Sequence, residues 1–297
     1  MKLSEFLELV LLASLWGASF LFMRVAAPEF GPVALAGLRV VIAAVVLTLI
    51  FVVNGGSKEL TNDAIPLLVV GILNAALPFT LFAFATISLA AGFSSILNAT
   101  APFFTAIVAY LWLRERLTRF QVAGLVVGFG GVAILLWGKQ SFETDASGLA
   151  VAAALIATLS YGFAANYARK YLSHASPMTI ATGSQIGAAL ALLPLALWLQ
   201  PAEMPSPAAW SSAVALGVLS TALAFVVYFH LIRNTGATRA ISVTFLIPVF
   251  GMLWGMLFLD EEITVNMAAG TVIILVGTAM TTSLLSLNRR GADTGSG

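Results

Sequence analysis

Residues 97–118 read LNATAPFFTAIVAYLWLRERLT, and residues 245–264 read FLIPVFGMLWGMLFLDEEIT. A shift of 146 places Pro102 on Pro248, Leu113 on Leu259, Glu115 on Glu261 and Thr118 on Thr264. The same shift carries Gly71 onto Gly217, Leu73 onto Leu219, Phe79 onto Phe225, Gly124 onto Gly270 and Gly131 onto Gly277. One residue less, 145, brings Trp16-Gly17 onto Tyr161-Gly162, Arg24 onto Arg169 and Pro32 onto Pro177. Apolar residues match by chance at single positions, but a Pro, Glu, Thr, Gly, Gly series at one spacing marks an internal repeat. The copies differ in charge. Arg114, Arg116 and Arg119 in the first are replaced by Asp260, Glu262 and Val265 in the second.

Composition names the solvent of this chain. Of 297 residues, 60% are hydrophobic and 9% charged, and the mean hydropathy is +1.00. Soluble domains carry roughly a quarter charged residues and must keep much of their surface solvated, so this chain belongs in lipid. Its apolar runs are nearly continuous over about 20 residues, the length that crosses a bilayer core. Barrel strands would alternate in shorter segments. Ten spans are predicted, near 6–26, 33–53, 64–87, 92–113, 120–138, 147–169, 178–199, 209–231, 239–259 and 265–285. The first is read as a span and not a cleaved leader, because Glu5 and Glu8 stand where a basic segment belongs.

Lys and Arg concentrate on the cytoplasmic side of membrane proteins. With the N-terminus inside, that side holds Lys2, Lys58, Arg114, Arg116, Arg119, Arg169, Lys170, Arg233, Arg239, Arg289 and Arg290. Arg24 and Lys139 fall outside, and Arg39 lies within a span. The expected fold is therefore an all-α membrane protein with N-in/C-in topology. Five spans per half is an odd number, so the halves face opposite ways. Residues 1–140 form the first repeat, 141–288 the second, inverted one, and 289–297 a disordered polar tail. Inverted repeats recur in secondary transporters, with the site at the repeat interface near the bilayer midplane.

Both halves resemble the EamA repeat of the drug/metabolite transporter superfamily. The resemblance rests on LWGASF in span 1, Leu38-Arg39 in span 2, the two quoted segments in spans 4 and 9, and the glycine-rich AGLVVGFGGVAILL and AAGTVIILVGTAM in spans 5 and 10. The second half departs where Tyr161-Gly162 replaces Trp-Gly and where Gln185 stands near the place of the Arg. The resemblance implies a ten-helix carrier in the bacterial inner membrane with a central cavity. Members are often exporters of amino acids or related metabolites; others carry sugars, nucleotide sugars or drugs. It implies a small-molecule substrate and the lipid bilayer as partners, no nucleic acid, no cofactor, and a monomer or weak homodimer.

Polar groups at membrane depth are costly and tend to face a cavity or the bundle interior. Arg39 is a candidate counter-charge for an anionic substrate group, or a gate member; the plainer reading is an Arg reaching the outer headgroups or pairing with Glu29. Asn74, Asn98, Asn166 and Gln185 either line a cavity or bridge helices. Trp16 lies away from the interfacial belts where Trp is usual, and its repeat partner Tyr161 shares that depth. Phe79, Phe82, Tyr228 and Trp254 are further cavity candidates, with ordinary packing as the plainer reading. Pro78, Pro102 and Pro248 each remove a backbone hydrogen bond inside a span, which suits kinks at moving segments. Glu115 and Glu261, at span ends, read as ion-pairing or capping residues.

The absences narrow the chemistry. The chain has no Cys and two His, His174 and His230, at depths unsuited to a shared dyad. With GFSS at 92–95 sitting at a span end, no catalytic or metal constellation is expected. No Asp or Glu lies in the interior of a predicted span. An exporter that exchanges cations for protons would need an embedded carboxylate, so neutral or zwitterionic solutes are the expectation.

Overall fold

The computed structural model describes residues 3–56, 59–137, 145–236 and 240–282, so the expected tail at 289–297 lies outside the described residues. Among the described residues the chain is helical and contains no strand. Eight helices are long and apolar enough to cross a membrane. They are α1 (Leu3–Phe30), α2 (Pro32–Val53), α3 (Ala64–Ser88), α4 (Ala91–Trp112), α5 (Arg119–Leu136), α6 (Asp145–Tyr171), α7 (Pro177–Trp198) and α8 (Pro207–Thr235). Two further apolar helices, α9 (Val243–Leu259) and α10 (Val265–Thr281), have 17 residues each. That is the lower limit of what spans a hydrocarbon core, about 17 residues. The protein is thus a multi-pass membrane protein.

Short polar motifs set the helix starts. Thr118 and Gln121 form a reciprocal capping box at α5, and Ser176, Ser206 and Thr264 accept the third amide of α7, α8 and α10. Pro32, Pro177 and Pro207 occupy first helical positions, where a missing N–H costs nothing. The local backbone also repeats at the 146-residue spacing. A π-helical turn interrupts α3 at Ile72–Ala76 and α8 at Val218–Leu223. Arg114 and Asp260 both take left-handed conformations, and the amides that follow, Glu115 N and Glu261 N, reach Ala109 O and Gly255 O at 3.2 Å each.

The three prolines do not act alike. Pro78 follows the π turn of α3, yet α8 makes its π turn with Ala224 at the matching place. There the Thr221 hydroxyl donates to Leu216 O, five residues back, at 2.7 Å. Pro102 follows a break at Ala99–Thr100, whereas Pro248 sits inside an unbroken α9. Thr100 donates to Leu97 O at 2.7 Å and meets Thr158 at 3.2 Å, so its hydroxyl holds the broken turn. The matching residue in α9 is Leu246, which has no such group.

Helices of the first half pack between helices of the second. In lipid no hydrophobic force draws helices together, so close approach at small residues supplies the attraction. At the α5–α10 contact a Cβ added to Gly277 would lie 2.6 Å from the Gly128 backbone. One added to Gly124 would lie 2.7 Å from the Met280 side chain. Gly17 of α1 meets Phe250 of α9, Gly37 of α2 meets Ala196 of α7, and Gly162 of α6 meets the Phe104 backbone of α4, all within contact that leaves no room for a side chain.

The ion pairs between distant segments and a second set of polar contacts lie at the two ends of the bundle. At the end holding Leu3, His230 meets Glu8 at 3.0 Å, His174 meets Asp63 at 2.8 Å and Arg169 meets Glu115 at 2.7 Å. At the end holding Phe30, Arg24 donates to Thr86 O at 2.7 Å and to Ile87 O, while Glu261 accepts from Ala91 N at 2.7 Å and Gly92 N at 3.1 Å. Glu29 accepts from the Ser206 hydroxyl at 2.8 Å and from its amide, and Phe30 packs edge-on against Trp210. Among described residues, Arg114, Arg116, Arg119, Arg169, Lys170 and Arg233 lie toward the Leu3 end and Arg24 toward the other.

These contacts make a stability prediction. Overpacking a tight site costs about 1–3 kcal/mol, so Gly277→Val should lower the thermal unfolding temperature in detergent. Gly130→Ala on the open side of α5, where no atom lies within 4 Å, should not.

Candidate functional site

A cavity of about 590 Å³ lies between the two sets of helices. Its wall runs from Phe20, Met23 and Arg39 through Asn98 and Pro102 to Glu115, Gln121, Arg169 and Thr282 at the Leu3 end. The contacts at the Phe30 end described above take no part in it.

Arg39 is its one deeply buried charge among the described residues, 5% exposed. The helix α2 carries it inward about two turns from Pro32. Its Nε donates to Thr221 Oγ1 at 2.9 Å, one terminal nitrogen lies 3.8 Å from Met23 Sδ, and the guanidinium sits 3.6 Å over the Phe79 ring. The π turn of α8 explains the first contact. Thr221 spends its proton on Leu216 O and so offers only lone pairs to the arginine. No carboxylate pairs with Arg39 among the described residues, and Glu29, its suggested partner, is committed to Ser206. A buried cation without an anion is expensive. The aromatic face below it returns part of that cost, about 2 kcal/mol when desolvated. The guanidinium has five N–H donors, so most remain for another acceptor.

Aromatic side chains form much of the remaining wall. Trp16 meets Tyr228 with ring centres 5.2 Å apart, Phe20 meets Phe82 edge-on at 5.5 Å, and Phe82 stacks on Tyr161 at 6.3 Å. Asn74 and Asn98 are in the wall. Asn166 is also in the wall, but its amide donates to Thr105 O at 3.0 Å and Gly162 O at 2.9 Å and accepts from Arg169 at 3.2 Å. It therefore bridges α6 to α4.

Of the sequence candidates, the structure brings Trp16, Arg39, Asn74, Phe79, Phe82, Asn98, Tyr161, Asn166, Tyr228 and Pro102 together around one cavity. Gln185, Trp254, Pro78 and Pro248 are not in its wall. Gln185 is fully buried, with neither amide atom hydrogen-bonded among the described residues. Trp254 donates its indole N–H to Ser14 O at 3.2 Å and packs with Phe250 and Phe258. Sequence reasoning missed Ser220 and Thr221, although the repeat contained a signal. The 146-residue shift pairs Arg39 with Gln185 and Thr221 with Ala75, so the arginine and its acceptor differ between the halves together. No group of three His, Cys, Asp or Glu that could hold a metal occurs among the described residues.

The chain contains no cysteine, so single introduced thiols report on the cavity directly. Asn98→Cys and Thr244→Cys, in the wall, should react with a water-soluble maleimide, while Gln185→Cys should stay protected until unfolding.

The EamA-like transporter family matches the chain twice, over residues 5–137 and 148–283. A relative described as the uncharacterized transporter YoaV of Bacillus subtilis (strain 168) is 26% identical, with 94% of this chain and 97% of that protein covered. A probable terminal-alkyne amino-acid exporter of Streptantibioticus cattleyicolor is 26% identical, with 88% of each covered. A probable amino-acid metabolite efflux pump of Salmonella typhimurium is 25% identical, covering 90% of this chain and 91% of the pump. A crystal structure 19% identical in sequence superposes with a TM-score of 0.67 over 96% of this chain and 98% of that one, which shows a shared fold. The chain belongs to the EamA-like transporter family.

Proposed function

We propose that this membrane transporter is a secondary carrier that exports amino acids or similar small zwitterionic metabolites by alternating access. Its ten helices are read as ten spans in two inverted sets of five, 1–140 and 141–288, with a polar tail at 289–297 and both termini in the cytoplasm. The basic residues gathered at the Leu3 end support that orientation. A cavity that reaches this end and not the other then corresponds to an inward-open state. The unit is read as a monomer or weak homodimer, and no catalytic role is assigned.

The observation that carries the substrate reading is Arg39, a buried cation at the cavity with no paired carboxylate among the described residues. A substrate carboxylate would supply the missing counter-charge. The aromatic wall of Trp16, Phe82, Tyr161 and Tyr228 would receive an apolar side chain or the ammonium, whose attraction to ring faces is electrostatic. Asn74 and Asn98 offer amide donors and acceptors for the remainder. Names of two relatives as amino-acid or amino-acid metabolite exporters agree with this choice.

A thermal-shift panel of amino acids, sugars, nucleotide sugars and lipophilic cations tests it. A ligand at a hundred times its Kd stabilises by about 2.7 kcal/mol, so amino acids should raise the unfolding temperature and their amides, which lack the carboxylate, should not. Stabilisation by lipophilic cations alone would assign the cavity to drug efflux. Stabilisation by sugars or nucleotide sugars alone would assign it to those carriers. Arg39→Gln should weaken amino-acid binding tenfold to a hundredfold, from the loss of a charged hydrogen bond worth about 1.5–3 kcal/mol.

A further inference from the structure

The Glu and Arg residues shared by the two halves stand apart from Arg39 and the aromatic wall. At the Phe30 end they grip one turn. Arg24 caps the last carbonyls of α3, Thr86 and Ile87, and Glu261 caps the first amides of α4, Ala91 and Gly92. Exposed carbonyls end a helix and exposed amides begin one, so an Arg and a Glu suit the two sides of that turn. Gly255 leaves the room for Glu261 to lie against α9; a Cβ there would overlap the carboxylate.

The repeat partners of these residues at the Leu3 end are Arg169 and Glu115. Glu115 leaves its helix by the same backbone route as Glu261, after a left-handed residue and with the same amide bond. Yet Arg169 and Glu115 do not grip a turn. They pair with each other at 2.7 Å, each 52% exposed, and both line the cavity mouth. The residues matching Thr86 and Ile87 are Ile232 and Arg233, in the last turn of α8, which ends at Thr235 and where Ile232 O accepts from Gly236 N at 2.8 Å. The residues matching Ala91 and Gly92 are 237 and 238, outside the described residues.

We propose that Arg169 is a partner-switching gate residue of the transport cycle. With the cavity open at the Leu3 end it is held by Glu115. When that end closes it leaves Glu115 and moves onto the last carbonyls of α8, as Arg24 holds those of α3 at the end now closed. Glu115 therefore stabilises the open mouth, and Arg169 is required to shut it. This rests on the alternating-access reading above.

The two residues then have opposite effects, which a merely structural ion pair would not produce. With Ala106→Cys as a reporter in the cavity wall, an impermeant maleimide is applied to each face of sealed vesicles of known orientation. Glu115→Gln should increase labelling from the face of the Phe30 end, because Arg169 is released to close the mouth. Arg169→Gln should decrease it and hold the cavity open at the Leu3 end. Arg24→Gln should raise it by loosening the closed end. The charge swap Glu115→Arg with Arg169→Glu keeps an ion pair but puts no donor at position 169, so it should remain folded and open at the Leu3 end without transporting. Equal effects of Glu115→Gln and Arg169→Gln, or transport by the charge swap, would overturn the switch while leaving the carrier reading intact. Labelling from one face only in every variant, with no solute flux in the parent, would instead defeat alternating access itself.

Discussion

Backbone approach at glycine underlies the other features of this protein. Lipid tails are as apolar as leucine, so the helices gain little by hiding their side chains from them. Attraction comes from surface-to-surface contact, and that grows when the Cβ is absent. Gly128 against Gly277, Gly17 against Phe250 and Gly162 against Phe104 each join a first-half helix to a second-half one. The two halves are therefore packed into each other instead of lying side by side, and the cavity is the space left where large aromatic side chains hold the helices apart.

Beside that space the backbone departs from regular α-helix. Two π turns at matching places loosen α3 and α8 beside the cavity. Such turns release helix geometry locally and recur at functional sites. In α8 the released turn presents Thr221 to Arg39; in α3 the same position is Ala75, and the matching Gln185 is left buried and unbonded. The halves share a scaffold but have diverged at the place that sets charge. One cation, stacked on Phe79 and without a paired carboxylate among the described residues, sets the charge of the cavity.

The same relation of shared scaffold and different use governs the two ends. Arg24 and Glu261 each engage the α3–α4 turn, while Arg169 and Glu115 engage each other. Identical residue types at equivalent backbone positions thus occupy two bonding states in one molecule. Both states satisfy their charges, which is the condition for an element to pass between them without a large penalty.

Composition was sufficient to determine the solvent and the helical class, because hydropathy and spacing are properties of neighbours along the chain. The caps at Thr118, Ser176, Ser206 and Thr264 are local in the same sense, but only the structure singled them out. Many of the cavity residues were legible too, since a polar or aromatic side chain at membrane depth has few places to go. What the sequence could not contain is which of two permitted partners each such group takes. Gln185 and Trp254 looked as suitable as Asn98 and Tyr228, and Glu29 looked like the mate of Arg39. Only the tertiary structure puts Ser206 beside Glu29, Ser14 beside Trp254 and Thr221 beside Arg39. Those choices depend on helix rotation and on π turns of one extra residue, set by contacts between segments more than 150 residues apart, as for Arg39 and Thr221 with 182 between them. Pro102 and Pro248 make the same point: one residue type at one repeat position sits after a broken turn in α4 and within an intact helix in α9, and the hydroxyl of Thr100 accounts for the difference.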